Sequence, residues 1–333
     1  MIISASRRTD IPKFYSGWFM NCIRAGYATP RNPFNGKPYR VKMGKGDVIV
    51  FWTRDATTLI PDLQELDERG FHYYFQYTLT GYPRKFEPST PKRDEAIHTF
   101  RVLADKIGAK KMIWRYDPIF LTGDIDAAWH KENFSYIASR LQGKSQRVII
   151  SFVDFYKKFE ASFVRMHRVQ RLRASGQGLA PEVDALCRHI VSEAGKNGMR
   201  VQTCAEGKLE IAGLERGKCI DDELIYDLFG LAYKGKKDKG QRKTCDCVES
   251  RDVGEDTTCL HGCVYCYATK SHEEAKRKYA GHDPYSPCLV GWPDNADRAA
   301  LLEKISPDDA KRVRAKPSRE TPPDTSPESG ADA

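Results

Sequence analysis

Six short runs of β-branched and aromatic residues punctuate the first two-thirds of the chain: Ile2 to Ala5, Val48 to Trp52, Tyr73 to Tyr77, Met112 to Tyr116, Val148 to Val153 and Arg200 to Cys204. Each is continuously apolar rather than alternating, the pattern of strands covered on both faces in a parallel sheet. Between them apolar residues recur at helical spacing. Ser16 to Ala25 gathers Trp18, Phe19, Cys22 and Ile23 on one face, and Lys92 to Ile107 gathers Ile97, Phe100, Leu103, Ala104 and Ile107; Trp129 to Leu141 and Glu182 to Ala194 behave alike. Strand–helix alternation repeated six times predicts an α/β fold with right-handed crossovers and a parallel sheet, arranged as a partial (β/α)6 barrel; a doubly wound open sheet is the alternative.

The polar residues cluster just after the strands, where a β/α barrel keeps its reactive mouth. Arg7, Arg8, Asp10, Arg115, Asp117 and Glu206 are the catalytic candidates found there, and Thr80, Gly81 and Asp154 the candidates for cofactor binding. Asp and Thr in such places also suit helix N-caps. The tandem arginines do not, because a helix N-terminus already carries positive dipole charge.

After about residue 215 the pattern changes. The expected organisation is a barrel over 1–215, a cysteine-rich region over 216–295 packed on its mouth, and a short helix with a disordered tail over 296–333. The composition, 40% hydrophobic and 30% charged, is globular, and no apolar run approaches membrane-spanning length. Charges at Arg7 and Arg8 interrupt the N-terminus before any export signal forms, so a cytoplasmic location with reduced thiols is expected. Ten cysteines in that setting point to metal or redox chemistry more than to disulfides. The net charge of +9 permits an anionic substrate, nucleotide-like or otherwise, and permits nucleic acid.

The sharpest signal is Cys259-Leu260-His261-Gly262-Cys263-Val264-Tyr265-Cys266, a C-x3-C-x2-C spacing. Three thiolates in one loop hold three irons of a [4Fe–4S] cubane and leave the fourth open to a ligand. His261 inside the loop suits either a hydrogen bond to a cluster sulfide or solvent. Zinc is the rival, with Cys245, Cys247, Cys259, Cys263 and Cys266 as a pool of thiolates. Cys204, Cys219, Cys245 and Cys247 also number what a second cluster or a zinc ion requires. Cys22 and Cys187 fall on apolar helical faces and read as core.

The triad, with an aromatic before its last cysteine, resembles the signature of radical S-adenosylmethionine enzymes. That resemblance implies a partial barrel of six β/α units, S-adenosylmethionine chelated at the open iron, and one-electron cleavage to a carbon radical. It also implies a reductase or flavodoxin-type electron donor. Here the triad follows the sixth unit, so the order is permuted and the loop has to reach back over the mouth. The chain to about residue 290 is also similar to a bacterial family known as a domain of unknown function. The carriers are Ser6 to Asp10, Phe51-Trp52-Thr53, Thr78 to Gly81, Trp114 to Pro118, Thr203 to Glu206, Cys219 to Asp222, the Cys245/Cys247 pair and the triad. The functional expectation is an iron–sulfur enzyme of radical type. The alternatives are a nucleotide- or nucleic-acid-binding barrel with structural zinc or a fully ligated cluster, and a redox sensor or electron carrier.

Overall fold

The computed structural model describes residues 1–153, 163, 179–206, 209, 211–233 and 235–293. Its centre is one eight-stranded sheet in which every pairing is parallel. The strands are β1 (Ile2–Ala5), β4 (Val48–Thr53), β5 (His72–Thr78), β6 (Met112–Ile119), β7 (Arg147–Phe152), β8 (Arg200–Cys204), β9 (Leu214–Gly217) and β10 (Arg251–Asp252). A small antiparallel pair, β2 (Tyr27–Ala28) and β3 (Val41–Lys42), lies outside the sheet. The helices are α1 (Ile11–Phe14), α2 (Ser16–Ala25), α3 (Leu63–Glu68), α4 (Arg93–Ile107), α5 (Ala127–Arg140), α6 (Pro181–Lys196), α7 (Asp222–Phe229) and α8 (His272–Ala280).

The order in the sheet is β10-β1-β4-β5-β6-β7-β8-β9. It advances in one direction from β1 to β9, without the reversal that defines a doubly wound sheet. All six expected strands are present. β9 and β10 are additional, too short and too polar to stand out in the sequence, and each extends one edge. β10 places residues from beyond position 215 directly beside β1, pairing Ile3 with Arg251 and Ser4 with Asp252. The segment after position 293 lies outside the described residues.

Alternation along the strands divides the side chains between two faces. Ile3, Ile49, Phe51, Tyr73, Phe75, Tyr77, Trp114, Tyr116, Val148, Ile150 and Val201 pack with the helices in the main core. The opposite face begins with an apolar layer of Ile2, Val48, Val50, Tyr74, Ile113 and Ile149, covered by Leu224 and Ile225 of α7. Two residues further along the same face the chemistry changes to Ser4, Trp52, Gln76, Arg115, Ser151 and Cys204. The strands are therefore mainly apolar along one side, while on the other the apolar layer gives way to polar residues toward their C-terminal ends. Their C-terminal ends open onto a cavity lined by both polar and apolar groups.

Candidate functional site

That cavity has a volume of about 410 Å³, within the range of small-molecule sites. Arg7, Arg8, Asp10, Arg115, Asp117, Cys204, Cys219, Cys245, Cys247, Cys259, Cys263 and Cys266 all line it. Residues 259–266, distant in sequence, thus join the strand ends in one space.

The triad loop is tied down by its own non-cysteine residues. His261 contacts Asp10 Oδ2 through Nε2 at 2.8 Å and Ser89 O through Nδ1 at 3.2 Å. Both ring nitrogens are thereby used, and His261 meets neither expectation, a cluster sulfide or solvent. Tyr265 donates to Glu87 and receives Arg54 Nη2 at 2.6 Å, and Tyr267 donates to Arg7 O at 3.0 Å. Val264 N bonds Phe86 O and Ser89 N bonds His261 O. Gly262 has φ of +68°, and a Cβ there would sit 3.1 Å from Pro88 Cγ, so the loop's close approach requires glycine.

Asp10 serves this loop and the fold together. Its carboxylate caps α1 through Lys13 N (3.0 Å) and accepts from Thr53 Oγ1 (2.8 Å), Arg54 N (2.7 Å) and His261. It is a strut between β4, α1 and the cysteine loop. Arg54, in the polar run directly after β4, and Glu87, which no sequence pattern singles out, form a buried pair at 2.8 Å beneath the loop, with Thr80 Oγ1 donating to Glu87 at 2.6 Å. Burial works against the Arg54 charge, but Glu87, Tyr265, Cys263 and Cys259 more than restore it and raise its pKa. The role of Glu87 depends on meeting Arg54 across 33 positions, a distance at which no local spacing rule operates.

Burial pushes the thiol pKa of Cys263 up to about 12, against the pull of Arg54. Burial, reinforced by Cys266 and Asp10, raises Cys259 as well. Without a cation these thiols keep their protons, and a metal centre bound there releases them. Among the described residues no three His, Cys, Asp or Glu side chains converge on a position for a single metal ion. A cubane does not need that convergence, because each thiolate binds a different iron. The donor set of the loop, three cysteines with its imidazole already engaged, fits a cluster with one corner left to an outside ligand.

The arginines are more occupied than expected. Arg8 pairs with Asp252 Oδ1 at 3.2 Å and donates to Gly254 O. Arg7 reaches Asp238 Oδ2 and Ser250 Oγ, both at 3.3 Å, with its guanidinium 5.6 Å from the Trp52 ring centre. Asp252, on the edge strand β10, collects Ser4 Oγ (2.7 Å), Ser6 Oγ (2.6 Å), Arg7 N (3.1 Å) and Arg8. Burial opposes its charge, but Arg8, Ser6, Ser4 and Arg7 prevail and hold its carboxyl below the usual range. Arg115 donates to Asp117, to Gln76 Oε1 at 3.3 Å and to Cys219 Sγ at 2.9 Å. Asp117 also accepts from Ser151 Oγ. These inward pairings give Arg7, Arg8 and Arg115 partners within the protein.

Three candidates stand apart from the cavity wall. Glu206 accepts Phe152 N at 2.9 Å through Oε1 and is buried behind the wall. Thr80 and Gly81 border a neighbouring space of about 10 Å³, room for about one water molecule. Gly81 is needed there: its φ is +67°, and a Cβ would sit 2.9 Å from both Arg93 Cδ and Asn133 Oδ1. Asp154 lies outside the described residues.

The fold and the site together define an α/β protein with a singly wound parallel sheet and a cavity lined by seven cysteines at the strand ends. The chain belongs to the family described as domain of unknown function DUF1848, which matches residues 2–268 and so includes the whole triad. The comparison with curated proteins gives no match. No helix among the described residues is long and apolar enough to cross a membrane.

Proposed function

We propose that this protein is an iron–sulfur enzyme of the radical S-adenosylmethionine type, with Cys259, Cys263 and Cys266 as the protein ligands of a [4Fe–4S] cluster. The observation that carries the reading is the triad on the wall of a cavity at the strand ends, with His261 in the same loop already held on both nitrogens. When bound and reduced, such a cluster supplies one electron to a sulfonium ligand at its open corner.

The chain's own residues have separate tasks. Arg54, Glu87 and Tyr265 fix the loop, and Asp10 with His261 fixes it to β4. Asp117, Ser6 and Ser151 offer oxygens to hydroxyl or amino groups, and Trp52 offers a ring face for a base or other planar group. Arg7 and Arg115 stand where a carboxylate or phosphate of a small anionic substrate would exchange one internal partner for another. The apolar layer of Val50, Tyr74, Ile113 and Ile149 closes the floor against water. A cytoplasmic setting and a reductase or flavodoxin-type donor accompany this reading.

The test is anaerobic reconstitution with iron and sulfide, reduction, and assay for 5′-deoxyadenosine. The expected result is product from the wild type and none from Cys266→Ala. A cluster-loaded, reduced wild type that binds S-adenosylmethionine without changing its EPR signal, and releases no product, overturns the proposal.

A further inference from the structure

We propose that Cys204 and Cys219 are a redox-active dithiol on the cavity wall, closing to a disulfide by exchange with a low-molecular-weight disulfide. Cys204 ends β8, and Cys219 lies two residues beyond the end of β9. The parallel register sets Cys204 against Gly217. A Cβ at Gly217 would sit 2.8 Å from Gln202 Cβ, so glycine lets the two backbones approach closely. Tyr74 OH at 2.7 Å and Gln76 Nε2 at 2.9 Å both donate to the Cys219 carbonyl and fix it. The two sulfurs then stand 3.3 Å apart. Thiolates on separate corners of a cubane keep a wider spacing. A further approach of about 1.3 Å makes a disulfide bond.

The pair is placed for exchange. Cys204 is half-buried on the cavity wall, where a small disulfide reaches it, and Cys219 beside it is buried. Arg115 Nη1 lies 2.9 Å from Cys219 Sγ and steadies negative charge there. The hydrogen bond between the two thiols, together with burial, raises the Cys204 pKa. On Cys219 the same bond acts downward, but Cys247 and burial outweigh it and carry the thiol up to about 11. Both thiols therefore rest protonated at neutral pH, and proximity rather than acidity favours the bond, because the second exchange is intramolecular. Cys247 is engaged otherwise: its sulfur accepts the backbone N–H groups of Cys219 and Ile220 at 3.3 and 3.4 Å. Cys22 and Cys187 sit in the main apolar core, and Cys288 Sγ donates to Thr29 O.

In the first step Cys204 gives up its proton and attacks one sulfur of the small disulfide, RS–SR. The S–S bond breaks, and RS⁻ leaves and takes up that proton as RSH. Cys219 then gives up its proton and attacks Cys204 Sγ, expelling the second RSH. The protein pair is oxidised by two electrons and the small disulfide is reduced to two thiols. The cavity thus gains a two-electron couple beside Arg115, separate from the one-electron centre proposed at the triad.

The full chain, isolated anaerobically, is treated with hydroxyethyl disulfide, its remaining free thiols are alkylated, and its tryptic peptides are mapped by mass spectrometry. Cleavage after Lys208 and Lys218 puts the two cysteines on different peptides, residues 201–208 and 219–234. The expected result is these two peptides joined with the loss of two hydrogens, and separated again by excess dithiothreitol. In Cys219→Ser the second exchange is lost, so a hydroxyethylthio adduct stays on Cys204. The proposal is overturned if both cysteines of the wild type are recovered alkylated, or if an adduct persists on Cys204 without closing. Cys219 joined to Cys245 or Cys247 overturns it as well. So does iron or zinc retained by the triple variant Cys259→Ala/Cys263→Ala/Cys266→Ala and released when Cys204 is also replaced. Should Cys219→Ser not fold, the wild-type map decides alone. None of these readouts needs a cluster at the triad or release of 5′-deoxyadenosine, so either proposal stands when the other falls.

Discussion

His130 shows how much one side chain's surroundings determine. It is fully buried between Tyr116 OH, 2.8 Å from Nδ1, and Phe120 O, 2.9 Å from Nε2. The carbonyl can only accept, so Nε2 carries the proton and Nδ1 accepts from the tyrosine. Burial lowers its pKa from 6.5 to about 4, against the carbonyl of Phe120. The unfolded chain thus binds a proton between those values that the folded chain refuses, and stability falls as pH drops through that window. The expected loss is about 3 kcal/mol. Urea unfolding at a series of pH values checks it, and the excess slope disappears in His130→Phe. Asp10 is the contrasting case: it was legible as a polar residue after a strand, but its four bonds make it a strut rather than a group free to meet substrate.

At the scale of elements, α7 links the floor of the cavity to the cysteines. Asp221 caps it through Glu223 N and Leu224 N, both at 3.1 Å, and pairs with Arg147 of β7 at 2.6 Å, both side chains 8% exposed. Tyr74 OH donates to Cys219 O at 2.7 Å just before the helix begins. Asp221→Ala removes a cap and strands a buried guanidinium, so a loss of about 3–5 kcal/mol is expected by chemical denaturation. Exchanging both partners for apolar residues, Asp221→Leu with Arg147→Met, recovers part of it. The main strands and long helices were readable from periodicity, because burial on a helix or a sheet imposes a repeat on the sequence. α7, β9 and β10 were not, because each is short and owes its conformation to the sheet it joins.

For the whole molecule, the edge strand β10 is what makes the late part of the chain inseparable from the early part. A chain ending at Ser250 lacks Asp252 and leaves the buried Ser4 and Ser6 hydroxyls and Arg8 without their shared acceptor. It also uncovers the edge of β1. Such a truncation is expected in the insoluble fraction on expression, whereas a separable cysteine-rich appendage would leave a soluble sheet behind. The same return of the chain to β1 brings the triad to the strand ends, where His261 meets Asp10 across 251 positions.

The sequence by itself determined the α/β class, the parallel strands, the long helices and the two groups of cysteines, since periodic burial and ligand spacing are local properties of a chain. It did not determine which charged residues face the cavity and which neutralise one another. Arg8 with Asp252, Arg54 with Glu87 and Arg147 with Asp221 find each other only when the sheet is assembled, because an ion pair depends on distance in space and leaves no periodic trace along the chain.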